Sequence, residues 1–413
     1  MFLLFLTIEL TYFITKHEGA YKVKYNFDEV IDRKNTNCIK WDGLKDKFGD
    51  SNLLPLWVAD SDFKCPQQVI DAIVKRAKHG IYGYTYHSPE FQIVTVDWVK
   101  NRHNWYIKKE WVTFSPGIVP ALCVAIQTLT NPGDKVIIQS PVYFPFTEVI
   151  VNNGRYVVKN SLKFEDYRYT IDFKNLENKV KDSRVKLLIL CNPHNPTGRV
   201  FSHDELKKIG EICIENNIVV IADEIHSDIV FKKYKHIPFA SISKEFADNS
   251  LTAISPSKTF NIAGLQTSAI IIPNEKLMNL FQNQMANNRT IHFNVFGLTA
   301  FIASYKYGEE YLEKMINYLE GNIQYMKGYF EAKIPKIKFV MPEGTYLVWF
   351  DCRKLNMDKE ELDNFFIKNA RVALDSGFWF GEEGNGFMRI NISCPRKILE
   401  EGLKRIEKAV NAL

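Results

Sequence analysis

The sequence predicts an α/β protein with a large domain built on a mostly parallel sheet and a smaller α+β domain at the C-terminus. Between Trp111 and Ile272, short apolar runs alternate with helical segments of about ten to fifteen residues, which is typical of parallel strands covered on both faces. A long amphipathic stretch from Glu309 to Phe330 follows, with further short strands after it. With 413 residues, 46% of them hydrophobic, the chain can build a sizeable core.

The elements are predicted in order along the chain. Helix boundaries are marked by Pro66 and Gly80, by Ser88, by the capping box Ser202-x-x-Glu205, and by Pro395. The strands predicted for the large domain span residues 112–114, 135–139, 155–158, 185–191, 218–222, 251–255 and 268–272. Those of the small domain lie near residues 337–341, 346–350, 372–374 and 387–392. We expect residues 1–21 to be an extension without an assigned role, 22–65 a segment packing on the small domain, 66–308 the large domain and 309–413 the small one.

Composition argues against several classes of protein. The 53 Lys and Arg against 48 Asp and Glu leave a net charge of +5 without a basic block, so we expect no nucleic-acid or membrane partner. Seven scattered cysteines without C-x-x-C spacing favour a reducing, cytoplasmic compartment, and the nine histidines show no ligand spacing, so no metal is expected. The apolar run 1–14 contains Glu9 and falls short of the roughly 20 residues that span a bilayer, which favours an extension over a membrane anchor.

The stretch from Ser255 to Asn261 is the candidate centre of the chemistry. Lys258 follows the apolar run 251–254, so it is expected at a strand end, where desolvation makes its amine easier to deprotonate and able to attack an aldehyde such as pyridoxal phosphate. Two alternatives exist. In the first, Lys258 is an ordinary surface lysine. In the second, Ser255-x-x-Lys258 is the serine–lysine pair of an acyl enzyme, although the chain lacks the S-D-N and K-T-G motifs of that class.

Other predicted strand ends supply the contacts that pyridoxal phosphate requires. The turn from Ser115 to Pro120 leads from a strand into a helix, so backbone N–H groups at Gly117, Ile118 and Val119 can bind a phosphate. Ser255 and Ser257 are candidate hydroxyl donors to the same group. Tyr143, after the next strand, offers a ring for stacking. Taken singly, the Ser115–Pro120 pattern is explained equally well by an ordinary turn, and an aromatic residue such as Tyr143 is more often part of the core.

Polar residues after two further strands complete the candidate set. Two Asn-Pro units between Asn192 and Arg199 make a rigid turn that can hold Asn195 as a donor to the phenolic oxygen of the cofactor. Asp223 ends an apolar strand, and its buried carboxylate requires a cation, which a protonated pyridine nitrogen supplies. His226 is within reach of the phenolic oxygen. Alternatively, the two Asn-Pro units form a purely structural turn, Asp223 is an exposed acid at a strand tip, and His226 is a core histidine.

Together these residues resemble the fold-type I pyridoxal-phosphate enzymes of the class I/II aminotransferase superfamily. Within it, four motifs resemble the carbon–sulfur lyase branch, the cystathionine β-lyases of the MalY/PatB type: residues 56–60 (LWVAD), 82–85 (YGYT), 223–228 (DEIHSD) and 257–264 (SKTFNIAG). The resemblance implies a mostly parallel sheet in the large, cofactor-binding domain. It also implies a small amino acid as substrate and a homodimer in which Tyr84 reaches the phosphate of the neighbouring subunit.

The resemblance also implies roles for single residues. Lys258 bonds covalently to the cofactor, Asp223 pairs with its ring nitrogen, Asn195 binds its phenolic oxygen and Tyr143 stacks on its ring. Arg389, in the motif 387–395 (FMRINISCP), corresponds to the arginine that binds the substrate α-carboxylate through a bidentate fork. Asn195 and the backbone near Val58 and Ala59 are predicted to help bind the substrate.

Three positions depart from the family pattern. Gln266 stands where many aminotransferases have a phosphate-binding arginine, which favours the lyase branch. Phe144 replaces a second tyrosine, and Ser61 stands where methionine is expected. The predicted reaction is the α,β-elimination of cystathionine or a related cysteine conjugate to a thiol, pyruvate and ammonia. The alternatives are an aminotransferase and a cofactor-binding regulatory protein with little turnover.

Overall fold

A computed structural model describes residues 25–413, and the predicted extension 1–21 lies outside this range. The central sheet has seven strands in the order β2-β10-β9-β8-β7-β3-β4. The strands of the described chain are β1 (Leu54–Pro55), β2 (Val112–Ser115), β3 (Lys135–Ile138), β4 (Tyr156–Lys159), β5 (Lys163–Glu165), β6 (Arg168–Thr170), β7 (Val185–Cys191), β8 (Val219–Asp223), β9 (Ser250–Ile254), β10 (Ser268–Ile271), β11 (Lys338–Phe339), β12 (Leu347–Asp351), β13 (Val372–Ala373), β14 (Asp375–Ser376) and β15 (Phe387–Asn391). The seven strands predicted between residues 112 and 272 are all present.

The sheet is mostly parallel, as predicted, with one exception. Strands β9, β8, β7, β3 and β4 pair in parallel, whereas β10 runs antiparallel to both β9 and β2. A parallel return to the sheet needs a crossover, usually a helix of several turns. Between β9 and β10 the chain forms the one-turn helix Pro256–Thr259 and a loop, so it re-enters the sheet in the opposite direction.

Helices cover the sheet where the apolar patterns predict them. Ser88 accepts a hydrogen bond from the Glu90 N–H at 3.2 Å, and Ser202 and Glu205 form the predicted capping box. The α-helices span Ile39–Asp42, Leu44–Phe48, Gln67–Lys78, Pro89–His103, Ile118–Leu129, Pro145–Asn152, Phe173–Lys179, His203–Glu215, Lys244–Asp248, Pro256–Thr259, Glu275–Asn287, Val295–Tyr307, Glu309–Lys333, Lys359–Asn364 and Arg396–Val410, and Phe365–Ala370 is a π-helix. No helix of residues 25–413 combines the length and apolarity needed to cross a bilayer.

The C-terminal part contains a four-stranded antiparallel sheet in the order β11-β12-β15-β14. The strand predicted at 372–374 differs in the structure. Its first two residues form β13, which pairs in parallel with β1 outside this sheet, and β14 pairs with β15. Residues 54–55 are thereby attached to the C-terminal part of the chain. We propose a division into a large domain, 66–308, and a small domain, 309–413, with the segment 22–65 packed on the latter.

The topology brings the loops that carry the candidate residues together. Strands β2, β3, β7, β8 and β9 point in one direction, so their carboxyl ends lie at the same edge of the sheet. Ligands of open α/β sheets bind at this edge. The loops that begin after Ser115, Ile138, Cys191, Asp223 and Ile254 therefore converge on one region.

Gly198 fixes the turn that carries Asn195. Its φ is +71°, and a Cβ at this position would lie 2.7 Å from Pro342 Cβ. We expect Gly198→Ala to lower the free energy of unfolding by about 2–4 kcal/mol, combining backbone strain with overpacking. Gly49 has a φ of +76° in open space, so Gly49→Ala should cost about 1 kcal/mol from strain alone. Urea denaturation of both variants measures this difference, and equal losses would contradict the packing argument.

Candidate active site

A cavity of about 290 Å³ lies at the carboxyl edge of the central sheet. Residues from the loops after β2, β3, β7, β8 and β9 form its wall. The predicted site residues that line it are Ala59, Gly117, Ile118, Val119, Tyr143, Asn195, Asp223, His226, Ser255, Ser257 and Lys258. The structure therefore brings together residues that are up to 199 positions apart in the sequence.

Lys258 is presented by the one-turn helix Pro256–Thr259 at the end of β9. Its Nζ donates a hydrogen bond to the Ala59 carbonyl oxygen at 2.7 Å. Burial lowers the pKa of Lys258 to about 8; the positive charge of Arg389 acts in the same direction, and the carboxylates of Asp60 and Asp223 oppose the shift. Near physiological pH the neutral form of the amine is therefore a minority, but a far larger one than for an ordinary lysine, which favours nucleophilic or basic chemistry.

The carboxyl group of Asp223 is buried at the end of β8, with 4% of the residue exposed. Burial raises its pKa to about 7, while the Ile225 N–H, which donates to Oδ1 at 3.1 Å, and the charge of Lys258 lower it. A single backbone donor satisfies little of a carboxylate's capacity for hydrogen bonds. A cation placed against this group would stabilise its ionised form.

His226 and Tyr143 also face the cavity. Burial lowers the pKa of His226 to about 3, so the imidazole is neutral, and its Nδ1 has no hydrogen-bond partner within residues 25–413. A buried ring nitrogen without a partner is rare and suggests that a ligand atom satisfies it. Tyr143 is half-buried, packs edge-on against Phe146 at 5.8 Å between ring centroids, and offers its ring to the cavity.

One end of the cavity is suited to an anion. The helix Ile118–Leu129 begins there, and Gly117 precedes it, so backbone N–H groups of its first turn are directed toward the cavity wall. Ser257 lies at the same wall, together with Gln266, Thr267 and Ser268. Thr267 and Ser268 were not predicted, although their place directly after the lysine loop, at the start of β10, was a usable signal.

Ser255 lines the cavity and also makes two hydrogen bonds within the protein. Its hydroxyl donates to the Thr267 carbonyl oxygen at 3.1 Å and accepts from the Ser257 N–H at 3.2 Å. The residue caps the Pro256–Thr259 helix, and its contact with a phosphate stays a prediction. Since the Lys258 amine bonds to Ala59 instead, the contacts do not form the serine–lysine pair of an acyl enzyme.

Arg389 lies on β15 and is almost fully buried, with 3% exposed. Its Nη1 donates to Asn195 Oδ1 at 2.7 Å, and its Nη2 donates to the Trp57 carbonyl oxygen at 3.2 Å and to Asp375. Two of the five guanidinium N–H groups, including Nε–H, have no protein acceptor in the described chain, and the Asn195 Nδ2 group is likewise without one. Arg389 does not itself line the cavity and is connected to it through Asn195.

Asp375 is a site residue that the sequence interpretation missed. Its carboxylate is buried and paired with Arg389. Burial raises its pKa, and the charge of Arg389 and its hydrogen bond oppose that rise. A usable signal existed, because Asp375 directly follows the apolar run 372–374, which is the reasoning that identified Asp223.

The carbonyl oxygens of Val58 and Ala59 accept hydrogen bonds from different parts of the protein. The Val58 carbonyl oxygen accepts from Asn391 Nδ2 at 2.6 Å, and the Ala59 carbonyl oxygen accepts from Lys258 and from Tyr346 Oη at 3.1 Å. The N–H groups of Val58 and Ala59 donate to no acceptor in residues 25–413. Carbonyl oxygens cannot bind a carboxylate, so the expected contribution of this backbone is confined to the N–H groups.

The structure also accounts for Ser61. Its hydroxyl lies 2.8 Å from Ser393 Oγ and accepts from the Phe63 N–H at 3.1 Å. Asn261, three residues after Lys258, accepts from the Ser61 N–H and donates to the carbonyl oxygens of Ser61 and Phe63. The serine hydroxyl therefore joins this segment to the chain after β15, whereas the backbone of residue 61 joins it to the lysine loop.

Tyr84 does not line the cavity of its own chain. It is 100% exposed, on a loop with the exposed side chains of Ile81 and Tyr86. Its ring centroid lies 6.2 Å from that of His292. Any contact of Tyr84 with a cofactor must therefore come from a second copy of the chain.

The cavity fits pyridoxal phosphate on its own geometry. Asp223 requires a cation, Nδ1 of His226 requires a polar partner, Tyr143 offers a ring face, and the start of the Ile118–Leu129 helix offers anion-binding N–H groups. Lys258 supplies the amine that an aldehyde needs. No cluster of His, Cys, Asp and Glu side chains suited to a metal ion occurs in the described part of the chain.

Comparison with known proteins agrees with this geometry. Residues 51–406 match the family described as aminotransferase class I and II. Cystathionine beta-lyase PatB of Bacillus subtilis (strain 168) is 43% identical over 94% of this chain and 100% of its own length.

Two solved structures extend the likeness to the fold. Cystalysin from Treponema denticola, which contains a pyridoxal 5'-phosphate cofactor, has a TM-score of 0.92 and 38% identity, covering 94% of this chain and all of cystalysin. The PLP-bound C-S lyase from Staphylococcus hominis has a TM-score of 0.89 and 38% identity, covering 95% of this chain and all of that lyase. The resemblance and the fold predicted from the sequence motifs are confirmed, and the chain belongs to the class I and II aminotransferase family.

Proposed function

We propose that the protein is a pyridoxal-phosphate-dependent carbon–sulfur β-lyase. Its substrates are amino acids with a sulfur leaving group at Cβ, with cystathionine as the favoured one, and its products are a thiol, pyruvate and ammonia. The observation that carries the proposal is the cavity shared by the Lys258 amine, the buried Asp223 carboxyl and Asn195, whose Oδ1 accepts a hydrogen bond from Arg389. The similarity to a cystathionine beta-lyase and to a C-S lyase structure supports the same reaction.

Bound pyridoxal phosphate supplies an electron sink that accepts the electron pair released at the substrate Cα. Lys258 would hold the cofactor through its aldehyde, and its free amine would serve as the general base for the substrate α proton. Asp223 would provide the anion that keeps a ring nitrogen protonated. Asn195 and the neutral His226 would offer hydrogen bonds to the phenolic oxygen, and Tyr143 would offer its ring for stacking.

Arg389 binds the α-carboxylate through its remaining N–H groups, and Asn195 and the N–H groups of Val58 and Ala59 assist. Because Asp375 already pairs with Arg389, the site presents a nearly neutral ion pair rather than a bare cation. Affinity for the carboxylate then depends on directed hydrogen bonds more than on net charge. This favours alignment of the Cα–H bond with the Lys258 amine.

The phosphate would be held by the N–H groups of Gly117, Ile118 and Val119, by the hydroxyls of Ser255 and Ser257, and by Tyr84 of a second subunit. Lys258 is the only Lys or Arg among the described residues that line the cavity, so neutral donors carry this contact. We further propose a homodimer in the cytoplasm. The exposed apolar side chains around Tyr84 and the seven free cysteines support these two proposals.

An aminotransferase is the second candidate, because the family is named for that activity and uses the same steps up to α-proton removal. Turnover of cystathionine distinguishes the lyase from the aminotransferase.

We expect pyruvate and free thiol when purified protein is mixed with cystathionine without any keto-acid acceptor. Lys258→Ala should abolish this release, while Lys276→Ala, on a surface helix, should leave it unchanged. Strict dependence on an acceptor would identify an aminotransferase, and no turnover under either condition would favour a regulatory protein.

Asp223→Asn tests the role of the buried carboxyl group. The variant keeps the shape of the side chain and removes its charge, so kcat should fall by about 30-fold or more, as when a partner of a buried charge pair is lost. Asp182→Asn is the matched control, since Asp182 is a carboxylate paired with Lys135 near the surface. Steady-state kinetics with cystathionine measures both, and an unchanged kcat in Asp223→Asn would contradict the assignment.

Tyr84→Phe tests the contact across the dimer. Removing this hydroxyl should weaken cofactor affinity about tenfold or more, the cost of one hydrogen bond to a charged group. Tyr86→Phe removes a hydroxyl from the same exposed loop and should leave the affinity unchanged. Fluorescence titration with pyridoxal phosphate gives both values, and sedimentation velocity should show twice the chain mass. A monomer that binds the cofactor with native affinity would contradict the proposal.

A further inference from the structure

The segment from Trp57 to Asp60 lies between the Lys258 amine and strand β15. Its Ala59 carbonyl oxygen accepts hydrogen bonds from Lys258 Nζ at 2.7 Å and from Tyr346 Oη at 3.1 Å. A carbonyl oxygen at this distance favours the ammonium form of the lysine and fixes the direction of its side chain. The orientation of the Ala59 peptide group therefore determines the position of the Lys258 amine.

A single buried side chain holds the two carbonyl groups that flank Ala59. Asn391 Nδ2 donates to the Val58 carbonyl oxygen at 2.6 Å and to the Asp60 carbonyl oxygen at 2.5 Å. The Asn391 Oδ1 atom is fixed in turn, because it accepts from the Ser393 N–H at 2.8 Å. With its neighbours turned toward Asn391, the Ala59 carbonyl is left facing Lys258.

Asn391 also belongs to the strand that binds the substrate carboxylate. Arg389 lies two positions earlier on β15, so the two side chains emerge on the same face of the strand. Arg389 Nη2 donates to the Trp57 carbonyl oxygen at 3.2 Å, one residue before the carbonyl that Asn391 holds. One face of one strand thus orients the segment at Trp57, Val58 and Asp60.

We propose that Asn391 is a positioning residue that aims the Ala59 carbonyl at the Lys258 amine and so keeps the base in register with the carboxylate-binding arginine. The inference rests on the proposed function, in which Lys258 is the general base. The charged groups around the amine are Asp60, Asp223 and Arg389; the neutral His226 and Tyr346 lie on the neighbouring elements. The Asn391 amide also holds the Asp60 backbone carbonyl, whereas the Asp60 carboxylate is held separately by hydrogen bonds from Arg33.

The test is the pKa of Lys258 in the cofactor-free full-length protein. Trace acetylation at a series of pH values centred on about 8, quantified by mass spectrometry of the Lys258 peptide, reports the neutral fraction of the amine. Asn391→Leu should lower the midpoint by about one unit, the size of one hydrogen bond to a charged group. In the holoenzyme the same variant should lower kcat more than it raises KM. Asn391→Ser, too short to reach both carbonyls, carries the same expectation if the leucine variant does not fold.

Asn322 provides a matched control. It is also buried, and its Nδ2 bridges the carbonyl oxygens of Ile392 and Cys394 at 2.9 and 3.1 Å, away from Ala59. Asn322→Leu should lose a similar amount of stability and keep the native midpoint. An unchanged midpoint in the Asn391 variants, or an equal shift in Asn322→Leu, would overturn the proposal. Because acetylation needs no turnover, a protein without lyase activity would refute the proposed function while this measurement still decides the role of Asn391.

Discussion

The burial of an amine and a carboxyl group in one cavity is the constraint on which this structure depends. Lys258 and Asp223 both leave water, and burial moves their pKa values toward each other, to about 8 and about 7. Ionisation of either group in this buried position costs free energy. The cavity is therefore poised for a ligand that brings a cation to Asp223 and an aldehyde to Lys258, and the loops at the carboxyl edge of the sheet hold the two groups in place.

The polar groups around the cavity are paired selectively. Asp228, close in sequence to Asp223, receives hydrogen bonds from Trp98 Nε1 and from the Thr259 hydroxyl, and this anchors the helix that presents Lys258. Arg389 is paired with Asp375, yet keeps two donors free. Asp223 accepts one backbone hydrogen bond and His226 Nδ1 has no partner in the described chain, although both line the cavity. Under-satisfied groups with shifted pKa values in a cavity are typical of a reacting centre.

The sequence predicted what local rules encode. Apolar runs located the strands of the central sheet, and the rule that strand ends carry ligands located Lys258, Asp223 and Asn195. The contacts of Asn391 and Arg389 with the segment at Trp57 and Val58 join positions more than 330 residues apart, which no periodicity records. The direction of β10 escaped prediction for a related reason, because it depends on how the short lysine loop folds rather than on the apolar pattern of the strand.

The pairing of β1 with β13 connects part of the active site to the C-terminal part of the chain. Residues 54–60 precede the large domain in the chain, but the ladder with β13 and the amide of Asn391 fasten them to the C-terminal sheet. A rotation of that sheet would carry the carboxylate-binding guanidinium and the resting place of the lysine as one rigid body. The ring-binding groups would stay behind on the central sheet. Lys258 itself stays on the central sheet at the end of β9, so such a rotation would move Arg389 and the Ala59 carbonyl together relative to the base and to the groups that bind the cofactor ring.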